Sequence, residues 1–298
     1  MENLTHTIVG LMLARVGLEK TTARGAGMLM LAANIPDIDG VTWFGGALPY
    51  IETHRTYTHS LTFLPLIALL PMLLVRAKFS WRSYLASMAA VLSHLLLDWT
   101  NFYGIPLALP FSEHRFRLDT ITLVDFWIWG ILVGALWATA LFSRVNREVQ
   151  PAGNPGTRRG WAWAALLGLL VYESGVWVAH ERAIQVMSSR IYEGAPPRRV
   201  TALPIGSHPL AWRGVIEGDG FTIIVPVNLT GEYDPGAGRL YRDVPPDSAR
   251  DAALRTRPFQ VLSRFSQLPF WKVTPVAEGL RVELIDLRFG NPEAPGFA

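Results

Sequence analysis

Apolar segments are the feature of this sequence that most limits what the chain can fold into. Six of them occur, at about Leu4–Leu18, Thr22–Ile35, His59–Arg76, Trp81–Thr100, Ile121–Phe142 and Trp161–His180. The first two are shorter than the ~20 residues that cross the hydrocarbon core of a bilayer, so each is tilted, partly submerged or packed within a bundle. The last four are long enough to span it. We therefore predict a mainly α-helical, polytopic membrane bundle of about six apolar helices.

The composition also indicates a membrane protein. Of the 298 residues, 50% are hydrophobic and only 17% are charged, which is too apolar for an ordinary soluble domain. The 11 tryptophans fit this class, because indole rings collect at the bilayer interface. The absence of cysteine excludes thiolate metal sites and disulfides. The basic residues form no stripe interleaved with aromatic side chains, so no nucleic-acid partner is expected.

The positions of the basic residues predict which loops face the cytoplasm. They cluster after the first, third and fifth apolar segments: Arg15, Lys20 and Arg24; Arg76, Lys78 and Arg82; and Arg144, Arg147, Arg158 and Arg159. By the positive-inside rule these alternate loops are cytoplasmic. Both termini and everything after about Gln185 then lie outside, in a multi-pass protein of a bacterial-type inner membrane.

The sequence changes character after the sixth segment, and residues 188–298 are predicted to form a separate domain. Strand-like runs flank glycine-containing turns in Gly214–Leu229 and in Lys272–Phe289, while Asp247–Gln267 is predicted to be helical. We expect a helical membrane domain over 1–187 that carries the functional site, followed by a small extracytoplasmic α+β domain. That domain caps the bundle, helps to bind substrate or recruits a partner.

Residues of metal-ligand type collect on the predicted outer face. They are His6, Asp37, Asp39, His54, His59, His94, Asp98, His114, Asp119 and Asp125. Carboxylate oxygen and neutral imidazole nitrogen are common ligands of divalent metals, so we interpret the collection as a metal site. The alternative, that outer loops simply collect polar residues, suits His114 and Asp119. It does not suit His6, His94 and Asp98, which lie inside apolar helical runs where a polar group is costly.

Two short motifs carry most of this prediction. In His94-Leu-Leu-Leu-Asp98 the spacing places both side chains on one face of a helix, one turn apart. The two can ligate one metal together, Asp98 can orient His94, or the pair can be a buried hydrogen bond that joins helices. In Pro36-Asp37-Ile38-Asp39-Gly40 both carboxylates point to one side if the backbone is extended. The alternative is a helix-ending turn, in which they accept from nearby backbone amides.

A third motif, His54-Arg55-x-x-Thr58-His59-Ser60, combines imidazoles with a cation. The separation of His54 from His59 does not place them on one helical face. Arg55 is the one basic residue of its predicted loop, and we interpret it as an anion clamp, most naturally for phosphate. A salt bridge to Glu52 or Asp39 is the alternative.

Together with Thr5-His6, these motifs resemble the YdjM-type predicted membrane-bound metal-dependent hydrolases, over about the first 180 residues. More distantly, the His/Asp pattern with a His-x-x-x-Asp helix is similar to zinc-dependent phospholipase C and the P1-type nucleases. Those proteins are all-helical, hold a cluster of zinc ions and cleave phosphate esters. This chain lacks a later His-x-x-x-Glu motif and does not begin with Trp, so one or two zinc ions, or another divalent metal, are expected in place of three.

The resemblance implies a metal-dependent hydrolase, which we expect to cleave a phosphate ester of a phospholipid or lipid-linked substrate at the outer membrane face. The expected principal ligands are His6, His59, His94 and Asp98, with Asp37, Asp39 and His54 as ligands, bridges or general base, and Arg55 neutralising phosphate. Asp37, Asp39 and Arg55 are thus the expected catalytic residues. Two other interpretations stay open. The cluster is a metal or ion transport site, or the protein is a non-catalytic scaffold whose outer domain binds partners.

Overall fold

The computed structural model of the protein describes residues 1–149, 155–245 and 247–296, and for 145–149 and 155 it describes the backbone alone. The chain forms two compact units. Met1–Gly40 and Arg55–Val176 make up the helical unit, and Val41–His54 and Trp177–Ala298 make up the mixed unit. The predicted boundary between 187 and 188 remains a prediction. Arg147, assigned above to an inner loop, lies among the side chains outside this description.

The helices are α1 (Asn3–Arg15), α2 (Gly25–Ala32), α3 (Ala47–Thr53), α4 (Leu64–Ile67), α5 (Leu69–Leu74), α6 (Trp81–Thr100), α7 (Phe126–Val149), α8 (Pro155–Ser188), α9 (Ser248–Leu254) and α10 (Arg257–Phe265). Short 3₁₀ segments include Ile35–Gly45 and Tyr57–His59. Side-chain caps fix several helix starts, because Glu2, Ser80 and Asp125 accept hydrogen bonds from first-turn amides of α1, α6 and α7.

Two helical stretches in the described part of the chain are long and apolar enough to cross a membrane, Phe126–Arg144 and Gly156–Ser188. The bent pair of Ala47–His59 and Leu64–Leu74 adds a third if it counts as one span. These helices support the spans predicted at Ile121–Phe142 and Trp161–His180 and at most one more, so six spans are not supported. The mainly helical N-terminal half is confirmed, as is the small domain with a β-sheet that follows it.

The other apolar segments do not form straight spanning helices, and the first two are as short as their sequences predict. α1 has 13 residues and α2 has 8, and at 1.5 Å per residue these reach only about 20 Å and 12 Å. The third predicted segment is divided between the short helices α4 and α5. α6 has 20 residues, but its serines, His94 and Asp98 lower its mean hydropathy.

The core of the helical unit brings the ends of three elements together. α1 and α2 pack closely at Gly10, where a Cβ atom would lie 2.7 Å from the carbonyl oxygen of Leu29. α6 packs against both of these helices through buried small and aliphatic side chains, which include Ala90, Val91 and Leu95. As a result, the start of α1, the chain that follows α2 and the last turns of α6 meet at one end of the unit.

The mixed unit contains a four-stranded antiparallel sheet in the order β1 (Arg199–Pro204), β2 (Ala211–Glu217), β3 (Phe221–Asn228) and β4 (Arg239–Arg242), and a hairpin of β5 (Pro269–Val276) and β6 (Gly279–Asp286). The strands predicted in Gly214–Leu229 and Lys272–Phe289 and the helices in Asp247–Gln267 are confirmed. The end of α8 is attached to the sheet by His180, whose Nε2 lies 3.1 Å from the carbonyl oxygen of Ala202.

Candidate metal centre

Four predicted ligands of the helical unit converge on one point. They are Asp37, His59, His94 and Asp98, and one ligand atom from each lies within 4.8 Å of the others. We call this set the four-residue cluster. Asp37 comes from the 3₁₀ segment that follows α2, His59 ends a second 3₁₀ segment, and the other two lie one turn apart on α6. The side chains of His59, His94 and Asp98 are fully buried.

The separations within the cluster match those expected around a four-coordinate cation. The two Nε2 atoms of His59 and His94 are 3.1 Å apart. His59 Nε2 lies 3.4 Å from Asp37 Oδ1 and 3.4 Å from Asp98 Oδ2, and His94 Nε2 lies 3.7 Å and 3.6 Å from the same atoms. Bonds of about 2.0–2.1 Å in a tetrahedral zinc site place neighbouring ligand atoms roughly 3.3 Å apart.

The tautomer of His94 is fixed by its backbone partner. His94 Nδ1 lies 2.7 Å from the carbonyl oxygen of Ala33, which can only accept a hydrogen bond. Nδ1 therefore carries the proton. In the neutral ring this leaves a lone pair on Nε2, directed at the centre of the cluster.

The tautomer of His59 follows from a chain of two hydrogen bonds. Thr58 Oγ1 donates its single proton to Asp39 Oδ2, and it lies 3.0 Å from His59 Nδ1. The hydroxyl must accept in this second contact, so His59 Nδ1 carries a proton. Burial works to lower the pKa of His59, but its contacts with Asp37 and Asp98 raise it, and Nε2 has a lone pair only when the ring is neutral. Two lone pairs that face each other repel unless a cation lies between them. Asp39 lies on the Nδ1 side of His59. Through the hydroxyl of Thr58 it is placed to orient the ring, as carboxylates do for metal-bound histidines.

Several buried polar atoms at the centre lack hydrogen-bond partners among the described residues. They include the two ligand oxygens of the cluster, Asp37 Oδ1 and Asp98 Oδ2, although Asp98 Oδ2 is also in ion-pair contact with Arg55. Buried polar atoms are rarely left unsatisfied, and each one calls for an explanation. A bound cation satisfies both oxygens together with the two imidazole lone pairs, so the donor set fits a divalent metal.

His6 lies directly beside the cluster. Its ring stacks on that of His94 with the centroids 3.8 Å apart, and its Nε2 lies 3.5 Å from Asp98 Oδ1. Neither ring nitrogen has a hydrogen-bond partner within the described chain. Burial and the neighbouring His94 lower the pKa of His6 to about 3, so the ring is neutral at pH 7 and offers a lone pair for a further metal ligand.

Arg55 brings a positive charge to Asp98, which the terminal amino group of Met1 also contacts. Its Nη2 lies 3.1 Å from Asp98 Oδ1 and 3.0 Å from Oδ2, and its guanidinium lies 4.6 Å from the ring centre of Tyr103. Burial works to raise the pKa of Asp98, but the charge of Arg55 helps to hold it well below its usual range. The guanidinium pairs with Asp98, and the backbone amide of Arg55 donates to Asp39. Its Nε and Nη1 remain without hydrogen-bond partners in the described chain.

The backbone of Arg55 is itself unusual. Its φ of 56° lies in the left-handed region, which non-glycine residues rarely adopt and which tends to persist at functional sites. This conformation directs the side chain to Asp98 while the amide of the same residue faces Asp39. The strained backbone conformation of Arg55 therefore occurs at the residue whose side chain contacts Asp98 of the cluster.

The remaining predicted residues lie outside the four-residue cluster. His54 belongs to the mixed unit, where its ring stacks on Tyr50 with the centroids 4.5 Å apart. Asp125 accepts from the first-turn amides of α7, Asp119 pairs with Arg117, and His114 is exposed. The four-residue cluster contains none of these side chains.

The sequence reasoning missed residues that support the ligands. The hydroxyl of Thr58 connects Asp39 to His59, and Asn101 Nδ2 donates to Asp98 Oδ1 at 3.3 Å. The carbonyl of Ala33 sets the tautomer of His94. Asn101 and Asp98 have the i, i+3 spacing of neighbours on a helix surface, so the sequence could have indicated this contact. A backbone carbonyl such as that of Ala33 gives no signal in a sequence.

Comparison with known proteins places the chain in a family. The model of the family described as YdjM inner membrane protein matches residues 1–183, which include the whole four-residue cluster. This chain belongs to the YdjM inner membrane protein family. The chain is also similar to the uncharacterized protein YfhP of Bacillus subtilis (strain 168), with 30% identity over 138 residues. That match spans 42% of this chain and 42% of the relative's length. No solved structure matches the chain.

Membership of the YdjM family confirms the resemblance derived from the histidine and aspartate motifs. The family description and the two apolar helices agree in indicating an inner membrane protein. The more distant similarity to zinc-dependent phospholipase C and P1-type nucleases stays a prediction, as do the number of membrane crossings and their orientation.

Proposed function

We propose that this YdjM family member is a metal-dependent hydrolase that cleaves a phosphate ester of a phospholipid or lipid-linked substrate. One observation carries the proposal: the Nε2 atoms of His59 and His94, which have lone pairs in the neutral rings, face each other across 3.1 Å beside Asp37 Oδ1 and Asp98 Oδ2, neither of which accepts a hydrogen bond among the described residues. Such a donor set fits zinc, for which imidazole and carboxylate in tetrahedral geometry are common ligands.

The residues of the site divide into three roles. Asp37, His59, His94 and Asp98 hold the first ion, and His6, through its two unpartnered nitrogens, is a further ligand for the same ion or a second one. A zinc ion bound there supplies Lewis-acid polarisation of the phosphoryl oxygen and lowers the pKa of a water molecule towards about 7.

Arg55 binds the phosphate group. Its Nε and Nη1 lack partners among the described residues, and the guanidinium is planar and carries several donors, which suits the oxygens of a phosphate ester. Because the side chain is almost completely buried, its charge acts in a medium that screens it weakly. Asp39 acts behind His59 and fixes the direction of its Nε2.

The lipid character of the substrate is inferred from the family and from charge placement. An inner membrane protein has phosphate esters of lipids within reach. The positive-inside pattern assigns the loops that carry the cluster to the outer face of the membrane. We therefore propose an extracytoplasmic site in a multi-pass protein.

Metal analysis of a purified protein tests the proposal. The wild type and His94→Ala are purified in detergent, and bound metal is measured by emission spectroscopy. We expect one or two equivalents of zinc in the wild type and a loss of at least one in His94→Ala. His208→Ala is the matched control, because His208 lies in the mixed unit and outside the cluster. Unchanged metal content in His94→Ala would refute the assignment.

An activity assay separates hydrolysis from the other interpretations. Phospholipids are incubated with the detergent-solubilised protein, with and without a chelator, and released phosphate esters are measured. Chelator-sensitive release in the wild type that is absent in His94→Ala supports the hydrolase. Metal binding without any release favours a transport site, and the absence of both favours a scaffold.

A further inference from the structure

Two side chains directly after α6 lie beside the four-residue cluster, and the proposed hydrolysis assigns no role to either. Asn101 is fully buried, and Tyr103 is nearly so. Asn101 Nδ2 donates to Asp98 Oδ1 at 3.3 Å, and Asn101 Oδ1 accepts a hydrogen bond of 2.8 Å from the backbone amide of Tyr103. Asn101 therefore connects the backbone of Tyr103 to a ligand of the cluster.

The ring of Tyr103 faces the guanidinium of Arg55. The central carbon of the guanidinium lies 4.6 Å from the centre of the ring. A cation within about 6 Å of an aromatic face is attracted by the quadrupole of the ring, and the attraction is stronger where water is excluded. Arg55 is only 3% exposed, so this contact belongs to the shielded kind.

These contacts form a closed circuit of side chains. It runs from Asp98 to Arg55, then to Tyr103, to Asn101 and back to Asp98. The circuit restrains the guanidinium at two points, because Asp98 holds Nη2 while the ring of Tyr103 limits rotation about that contact. Only three residues separate Asp98 from Asn101, and Tyr103 follows two positions later.

The restrained guanidinium keeps unused donors. Nη2 contacts both carboxylate oxygens of Asp98 and lies 3.4 Å from the carbonyl oxygen of Met1. Nε and Nη1 of Arg55 are buried and have no hydrogen-bond partner in the described chain. Buried donors are seldom left unsatisfied, and the oxygens of a phosphate group are acceptors that suit a guanidinium.

We propose that Tyr103 is a positioning residue for the phosphate group of the substrate. Its ring holds the Arg55 guanidinium so that Nε and Nη1 meet the phosphoryl oxygens. The inference rests on the proposed function, in which Arg55 binds phosphate, and adds that the face of the Tyr103 ring sets the strength of that binding. A side chain that is already held loses less conformational freedom when it binds a ligand. Tyr103 thus acts on the substrate through Arg55.

Binding of inorganic phosphate to the zinc-loaded, full-length protein in detergent tests this inference. Calorimetric titration measures the affinity, and emission spectroscopy measures zinc in every sample. Tyr103→Leu should bind phosphate about 2- to 30-fold more weakly, with the zinc content unchanged. Tyr103→Phe keeps the ring and should restore the affinity of the wild type. Tyr84→Leu is the matched control, because Tyr84 is a half-buried tyrosine at the other end of α6, where its hydroxyl donates to the carbonyl oxygen of Pro65.

A double-mutant cycle with Arg55→Gln separates positioning from packing. In the Arg55→Gln background, Tyr103→Leu should weaken phosphate binding no further, because the ring acts through the guanidinium. A ring that only supports the fold would weaken binding by the same factor in both backgrounds. Tyr103→Met keeps a long apolar side chain without an aromatic face, and it takes the place of Tyr103→Leu if the leucine variant does not fold.

Three results would overturn the inference. They are a zinc-loaded wild type that binds no phosphate, a Tyr103→Leu variant that binds it as the wild type does, and equal weakening by Tyr103→Leu with and without Arg55. Phospholipid hydrolysis is measured on the same samples. If phosphate binding follows the expected pattern and no phospholipid is cleaved, Tyr103 stands as a positioning residue of a phosphate site and the hydrolase function fails. If phospholipid is cleaved and Tyr103→Leu binds phosphate normally, the hydrolase function stands and the inference fails.

Discussion

The Nε2 atoms of His59 and His94 lie 3.1 Å apart. Each ring donates a hydrogen bond through its Nδ1 atom, His59 to the hydroxyl of Thr58 and His94 to the carbonyl oxygen of Ala33. This relationship depends on two residues that are not ligands. The carbonyl of Ala33 holds one ring, and the hydroxyl of Thr58 holds the other. The predictions below follow from such contacts.

Thr58→Val should weaken metal binding while leaving the fold intact. The valine cannot accept from His59 Nδ1, so the ring loses the contact that selects its tautomer and direction. Loss of a group that orients a metal ligand typically costs about 10- to 100-fold in affinity. Competition with a fluorescent zinc chelator measures this effect. Thr62→Val, at an exposed position nearby, should leave the affinity unchanged; equal affinities of the two variants would contradict the role of Thr58.

Arg55→Gln should destabilise the metal-free protein more than the metal-bound one. Asp98 is fully buried, and without Arg55 only the terminal amino group of Met1 remains beside it as a cation, so the substitution should cost up to roughly 3–5 kcal/mol. Added zinc supplies the missing positive charge, so thermal unfolding with and without zinc should show a larger gain than in the wild type. Arg82→Gln, at an exposed position on α6, serves as the control. A zinc-induced gain equal to that of the wild type would count against the pairing.

Gly10→Ala should destabilise the helical unit. The added Cβ would lie 2.7 Å from Leu29 O and 2.9 Å from Met30 Cα, both of which are backbone atoms that cannot move aside easily. Overpacking of this kind typically costs about 1–3 kcal/mol. Gly27→Ala meets no atom within 4 Å and should be neutral or stabilising by up to about 1 kcal/mol. Thermal unfolding in detergent should therefore separate the two variants, and similar midpoints would argue against close packing of α1 on α2.

Zinc affinity should fall as the pH is lowered. Both imidazoles of the cluster must be unprotonated to bind. Burial works to lower the pKa of His59, but its contacts with Asp37 and Asp98 raise it above the ordinary 6.5, so protons already compete with zinc for this ring above that value. Two such ligands make the affinity fall by up to about two log units for each pH unit in this range. Chelator competition from pH 8 to pH 5, corrected for the chelator's own titration, measures the slope. A flat profile would mean that histidines do not hold the metal.

Local features of the sequence predicted their structures well. The spacing of His94 and Asp98 placed both on one face of α6, because helical periodicity depends only on separation along the chain. The Gly-Asp-Gly turn between β2 and β3 is equally local, since few backbone conformations close so short a connection.

Features that depend on distant contacts could not be predicted. Nothing near Asp39 in the chain shows that Thr58 will hold it on the Nδ1 side of His59. The apolar segment His59–Arg76 has the composition of a span, but its chain folds into two short helices. Hydropathy reports how apolar a segment is, and it does not report where the helix breaks.

The insertion of Val41–His54 into the mixed unit has a practical consequence for dissecting the protein. α3 rests on α10, more than half of the chain length away in sequence, and Glu52 pairs there with Arg257. A truncation at the end of the helical unit would remove the surface that covers Leu48 and Ile51 and leave them facing solvent. Expression of the N-terminal half alone should therefore give aggregation. The helical unit is best studied in the full-length protein.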